Sequence, residues 1–378
     1  MIKEVFITET NCITPIGFDV ATNIQNIRNG VSGIQLHQNA MMDKPFYASI
    51  INNEELNNAF AKISPSLKYT RLEKMMILAL NPIVANSKLN LNQKVGFILS
   101  TTKGNISALE NATENHFQSA YLQHLAKKIA LFFDFKTAPI VVSNACVSGV
   151  LAVSVAKRLI QAEMFDHVFV VAGDEVSKFV LSGFNSFQAM SDLPCKPYSI
   201  NRSGVSLGEA TAAVLVSSDK ENAKIKIIGE GSINDANHIS GPSRNGEGLY
   251  RSIEIALDES KVNASQIDYI SAHGTATPFN DEMEAIAFNR LGIENVPVNS
   301  LKGFYGHTLG ASGLLETVVG IQSVLESKLF VSFGFDEMGV SESINIIKEN
   351  ENKNIHYFLK TASGFGGCNT AVLFEKIQ

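Results

Sequence analysis

The period of apolar and polar positions changes repeatedly along the chain, and the changes mark the elements. Short runs of strand length, KEVFIT at 3–8 and VGFIL at 95–99, flank a stretch from Arg71 to Asn86 whose apolar residues recur at helical spacing. Pro82 inside that stretch predicts a kink or a break, because proline lacks the N–H and crowds the preceding turn. Residues 105–133 read as largely helical. A β-branched run from Ala138 then gives way to a small-residue turn and a Val/Ala/Leu-rich helix ending near Ile160. The strand VFVVAGDE (168–175), a loop-rich region at 182–209 and the strand TAAVLVSS (211–218) follow. Strands alternating with helices predict an α/β protein with mostly parallel strands.

The series then starts again. KIKIIGEGS (224–232) resembles the opening strand, and DYISAHGT (268–275) is a strand running into a small-residue turn. VPVNSLKGFYGH (296–307) precedes the helix LGASGLLETVVGIQSVL, and residues 355–376 end in a strand like 211–218. So long a period means a duplicated domain rather than a solenoid. The halves predicted are 1–222 and 223–378, divided in the charged stretch DKENAK, and so short a linker implies that they pack tightly.

Composition narrows the function classes. With 378 residues, 45% hydrophobic and 18% charged, the chain can bury a substantial core. A net charge of −6 gives no global attraction to nucleic acid or an anionic membrane, so an acidic partner would have to meet a local basic patch. The four cysteines, Cys12, Cys146, Cys195 and Cys368, lie far apart without metal-ligand spacing, which fits a reducing compartment and predicts no metal site. No segment has the length of a membrane span and the N-terminus has too few consecutive apolar residues for a signal sequence, so the expected location is cytoplasmic.

Candidate chemistry gathers at three turns. Cys146, in SNACVSG, sits between a strand and a helix, where unpaired amide N–H groups and the helix dipole favour a thiolate. A lone cysteine in an apolar segment is more often inert core, so its partners decide. His273 (SAHGTATPFND) and His307 (KGFYGHTLGASG) each occupy a glycine-bearing turn, with Lys302 and Glu316 bracketing the second. Together they could activate a thiolate and stabilise an oxyanion. The turn SGFGGCN at 363–369 supplies three glycines and a backbone able to point N–H groups into a cavity.

In this order, SNACVSG, HGTATPFNDEMEA, NSLKGFYGHTLGASGLLE and SGFGGCNTAVLF resemble the β-ketoacyl-[acyl carrier protein] synthases of the elongating (KAS I/II) type, in the thiolase-like superfamily. NCITPIG, AGDE and KPYSINRSGVSLGEA match as well, so the resemblance spans essentially the whole chain. It implies a thiolase-like duplicated fold of five layers, αβαβα, with two mixed sheets. It also implies decarboxylative condensation of an acyl-enzyme with malonyl-acyl carrier protein.

Carried over by position, Cys146 accepts the acyl chain while His273 and His307, as neutral N–H donors, hold the malonyl thioester oxygen. Lys302 and Glu316 organise His307, and Asp281 supports the first histidine turn. The backbone N–H groups of Cys146 and Phe365 form the oxyanion hole, with Gly364 and Gly366 freeing Phe365 to act as an aromatic gate. Lys62, Lys68, Arg71 and Lys74 fall in a segment similar to the family's docking region for the acidic carrier. No metal or organic cofactor is implied, since the substrates ride on the carrier's phosphopantetheine. The resemblance implies a homodimer, or a heterodimer with a cysteine-less chain-length subunit.

Several positions depart from the family pattern. Lys103 stands in a region usually rich in glycine, Ala210 replaces the last glycine of a glycine-glutamate-glycine stretch, and Ser363 stands where phenylalanine is common. These departures leave the reacting groups intact and bear on substrate, leaving room for a specialised ketosynthase of polyene or polyketide synthesis beside fatty acid elongation. A non-catalytic chain-length-type partner would lack the cysteine, and a Cys/His hydrolase gives the HGT and GHT turns no use.

Overall fold

The computed structural model describes residues 3–65, 68–110, 114–235 and 241–377. In chain order the first half supplies β1 (Phe6–Ile13), α1 (Arg71–Ser87), β2 (Val95–Ser100), α2 (Leu122–Phe133), β3 (Ile140–Val142), α3 (Ser148–Gln161), β4 (His167–Asp174), α4 (Lys178–Ser186) and β5 (Ala210–Ser217). The second supplies β6 (Ile225–Asn234), α5 (Glu247–Ser260), β7 (Tyr269–Ser271), α6 (Pro278–Arg290), β8 (Val298–Asn299), α7 (Lys302–Tyr305), α8 (Ser312–Glu326), β9 (Tyr357–Gly364) and β10 (Cys368–Lys376).

The two sets of strands repeat one topology. The first lies in the order β1-β5-β4-β2-β3 and the second in the order β6-β10-β9-β7-β8. In both, the first two pairings are antiparallel and the last two parallel. The two mixed five-stranded sheets join where β1 and β6 pair at Phe6 with Lys226 and Ile7 with Ile225.

Three apolar cores separate the layers. One lies between the first sheet and α1 and α2, and another between the second sheet and α5 and α6. The central core holds α3 and α8 between the sheets, completing the αβαβα order. Position explains composition: in α8 even Ser312, Glu316, Thr317 and Ser323 are buried, and a helix covered on every side must be apolar nearly all round. Gly149 of α3 meets α8 so closely that a β-carbon there would lie 2.9 Å from the Leu314 nitrogen.

Helix α1 runs unbroken through Pro82, so of the kink or break read from the sequence the break does not occur. A capping box between Thr70 and Glu73 fixes its start, and the helix is buried on every side from Met75 to Leu80. The Asn11 side chain donates to the Ala79 carbonyl at 3.2 Å, in the turn the proline disturbs. The region read as loop at 182–209 includes the end of α4, which packs Val180, Leu181 and Phe184 inward. Among the described residues no helix is long and apolar enough to cross a membrane.

Candidate active site

The repeated topology decides where the chemistry meets. Cys146 lies between β3 and α3, and His307 lies at the equivalent place in the second half, between β8 and α8. Because α3 and α8 pack against each other at the centre, these two turns face one another. His273 follows β7, a neighbour of β8. All three side chains are buried, and Sγ and a ring nitrogen of each histidine lie within 4.8 Å of one another. A soft cation such as zinc could use that spacing; so could one thioester group. They line a cavity of about 500 Å³.

The Cys146 turn is built around a strained residue. Ala145 has φ 43°, a left-handed conformation that a side chain resists by roughly 1–2 kcal/mol. Ser148 holds it: its hydroxyl accepts from the Asn144 N–H at 2.8 Å and donates to the Ala145 carbonyl at 2.6 Å. Gly364 must be small, since a β-carbon there would sit 3.0 Å from the Cys146 nitrogen.

Burial pushes the Cys146 thiol up to about 11, against the pull of the Lys103 and Lys302 ammonium groups and of the Phe365 backbone hydrogen bond. Where the sequence points to a thiolate at the helix N-terminus, burial acts in the opposite direction and is the largest influence on the thiol. Instead His307 Nε2 sits 3.2 Å from Sγ, in position to take the proton.

The histidines are neutral, each held well below the ordinary imidazole range, chiefly by burial and then by the Lys302 charge. Their tautomers are set differently. His273 Nδ1 lies 3.3 Å from Lys302 Nζ, and since an ammonium only donates, Nδ1 must accept and the ring proton stays on Nε2. His307 Nδ1 lies 3.1 Å from Ser312 Oγ, itself 3.0 Å from Thr308 Oγ1. A hydroxyl can donate or accept, so His307 is satisfied in either tautomer.

Lys302 and Glu316 pair at 2.8 Å and are almost fully buried. The expectation that they organise His307 is corrected, since the lysine donates to the His273 carbonyl and Nδ1. His307 is held instead by Ser312 and by its own N–H to the Ser206 carbonyl, 2.7 Å. Asp281, which burial raises to about 7, accepts from Thr275 N at 2.9 Å and Tyr198 N at 2.7 Å. It supports the turn but not the histidine itself. That contact belongs to Glu284, which accepts from His273 N at 2.8 Å and Gly274 N at 2.6 Å. Glu284 was missed in the sequence, although its place in the HGTATPFNDEMEA motif, one helical turn past Asp281, was a usable signal.

Phe365 stacks on Phe184 with centroids 5.6 Å apart and meets Phe187 edge-on at 5.4 Å, forming an aromatic wall of the cavity. Gly366 and Gly367 adopt φ 82° and 78°, conformations open to glycine. Ser363 also lines the cavity and bonds Asn369 across the hairpin at 2.7 Å.

The four cations read as a docking cluster separate. Lys62 and Lys68 are exposed, and Lys74 reaches Asn57 at 2.7 Å. Arg71 turns inward to the buried Glu209, with Nε 3.3 Å from Oε1, and ties the start of α1 to the rest of the fold. Its side chain is left about one-fifth exposed (21%).

Comparison with known proteins agrees with this geometry. The β-ketoacyl synthase N-terminal domain model matches residues 3–222 and the C-terminal domain model matches 225–335. The chain belongs to the β-ketoacyl synthase family. It is 26% identical to a 3-oxoacyl-[acyl-carrier-protein] synthase 2 of Staphylococcus aureus, over all of this chain and 99% of that protein. It is also 26% identical to a 3-oxoacyl-[acyl-carrier-protein] synthase homolog of Saccharomyces cerevisiae, again over all of this chain and 99% of the relative. Among solved structures, the ketosynthase ApeO of Xenorhabdus doucetiae, in complex with its chain length factor ApeC, superposes with TM-score 0.88 at 22% identity over 99% of this chain and 98% of its own. A β-ketoacyl synthase of Burkholderia phymatum gives 0.87 at 21% identity over the whole of both chains. These structural likenesses carry the thiolase-like fold.

Proposed function

We propose that the protein condenses an acyl group, held as a thioester on Cys146, with malonyl-acyl carrier protein. The observation that carries this reading is the convergence of one thiol and two neutral imidazoles, from both halves of the fold, on one buried cavity. In the first half-reaction His307 Nε2 takes the thiol proton as Sγ attacks the acyl thioester. The oxyanion is met by the N–H groups of Cys146 and Phe365. The C–S bond to the carrier breaks, and the carrier's thiol leaves with the proton from His307.

In the second half-reaction Nε2–H groups of His273 and His307 donate to the malonyl thioester oxygen. The carboxylate's bonding electrons move into the enolate as CO₂ departs. The enolate carbon attacks the Cys146 thioester, a C–C bond forms, and the cysteine sulfur is released. The β-ketoacyl product remains on the carrier. Neutral imidazoles suit this step because they stabilise developing charge at the oxygen without first pairing with the departing carboxylate.

The halves 1–222 and 223–378 thus contribute the nucleophile and the histidines respectively. No bound cofactor is needed, since the thioester arrives on the carrier's phosphopantetheine. Lys62, Lys68 and Lys74 remain the candidate surface for that acidic carrier. Dimerisation through β3 is part of the reading: it is the free edge of the sheet, its Ile140 and Val141 are half-exposed, and it leads directly to Cys146. The partner is a second copy or a cysteine-less chain-length subunit, in the cytoplasm. Ser363 on the cavity wall, where phenylalanine is common in the family, leaves room for a specialised polyene or polyketide role beside fatty acid elongation.

Incubating the protein with a panel of acyl carrier protein thioesters and weighing it tests the reading. Loading on Cys146, abolished in Cys146→Ser and retained when Cys12, Cys195 or Cys368 is replaced, is expected. Full condensation by Cys146→Ser would sink it.

A further inference from the structure

A second buried lysine stands behind the histidine turn, outside every motif named above. Lys360 lies in β9, opposite Ser271 of β7 in the parallel pairing, and its side chain is fully buried. Its Nζ donates to the Ser271 carbonyl at 3.0 Å and to the Ala272 carbonyl at 3.2 Å, and lies 2.6 Å from Glu316 Oε2. Two of the ammonium's protons have carbonyl acceptors, and its charge is paired with Glu316 Oε2. Lys302 uses the other oxygen, Glu316 Oε1, at 2.8 Å, and reaches both the carbonyl and Nδ1 of His273. One carboxylate is thus shared between two ammonium groups, and the two carbonyls Lys360 grips immediately precede His273.

We propose that Lys360 is a positioning residue for malonyl decarboxylation, holding Glu316 and the end of β7 so that Lys302 keeps the His273 Nε2–H aimed at the substrate oxygen. A free carboxylate oxygen in this pocket would compete for Lys302 and draw it from His273, and Lys360 prevents that by occupying Oε2. Its charge also has a place in the chemistry. The enolate develops negative charge against His273, and two cations sharing one anion behind that ring favour it. Burial lowers the Lys360 ammonium from its ordinary range, with Glu316 acting against that loss. No such demand falls on the acylation step, which runs through Cys146 and His307.

The inference rests on the condensing-enzyme reading, and the test separates the two. Lys360→Met keeps length and removes charge, while Lys360→Ala leaves a space lined by two carbonyls and a carboxylate that ammonium or methylammonium can enter. Both are assayed for loading of Cys146 from hexanoyl-carrier protein and for CO₂ release from malonyl-carrier protein. Loading within about twofold of wild type, with kcat for CO₂ release down roughly ten- to hundredfold and KM little changed, is expected for a residue one step behind the reacting group. Ammonium salts restore the Ala variant and not Lys360→Met, with sodium as the control. Wild-type CO₂ release in both variants, equal loss of both half-reactions, or no rescue of the Ala variant overturns the role of Lys360 while leaving the condensing enzyme intact. Failure of the unmodified protein to load or to decarboxylate would overturn both.

Discussion

Removing the His307 imidazole tests how Cys146 becomes a nucleophile. Burial holds the thiol near 11, so at pH 7 only about one molecule in ten thousand carries the thiolate at rest. The N-terminus of α3 lies close by, but a helix dipole in a favourable, partly buried geometry supplies up to ~2 kcal/mol, or roughly 1.5 pH units. Even with that full contribution the thiolate stays near one part in three hundred, so a base within reach of the proton decides the rate. His307 Nε2, 3.2 Å from Sγ, is the base this proposal assigns. Because burial and neighbouring lysines keep His307 neutral well below the ordinary imidazole range, it is ready to accept throughout the neutral region. Wild-type acylation should therefore be flat from about pH 6.5 to 9. In His307→Ala it should fall by roughly 10²–10⁴ at pH 7 and climb about tenfold per pH unit as bulk base takes over. Stopped-flow or quenched mass measurement of acyl-enzyme formation against pH reads both. A variant that loads at the wild-type rate with a flat profile would refute the base role and return activation to the helix alone.

His273→Ala should still load Cys146 but lose malonyl-carrier decarboxylation by about 10²–10³, the range for removing one donor to a developing oxyanion; CO₂ release at the wild-type rate would count against that role. Ser363→Phe should narrow the acyl cavity and break the bond to Asn369, slowing long or rigid chains more than acetyl. If loading falls by one common factor across chain lengths, the position does not select by size. Charge reversal at Lys62 and Lys68 should raise KM for carrier-bound substrate and flatten its salt dependence, whereas Arg71→Glu should lower Tm by breaking a buried pair with Glu209. An unchanged KM in the lysine variants would leave them as solvated surface.

The sequence by itself determined the repeated α/β series, the three turns and the candidate residues Cys146, His273 and His307. Those signals are local: a period of two or 3.6 depends on near neighbours, and a strand-to-helix turn with Cys146 or a glycine-bearing turn with His307 is written in a few consecutive residues. Tertiary structure alone decided who serves whom. Lys302 and Glu316 lie beside His307 in the chain yet act on His273, because the start of α7 packs under the end of β7. Lys360 joins them only because β9 pairs in parallel with β7, bringing together residues 89 positions apart. Arg71 stands among surface lysines in sequence, but the fold offers it Glu209, and a buried carboxylate competes for it more strongly than solvent. The electrostatics of Cys146 follow the same rule: the sequence sets the helix end beside the sulfur, while the apolar depth around it, assembled from both halves, pushes the thiol up.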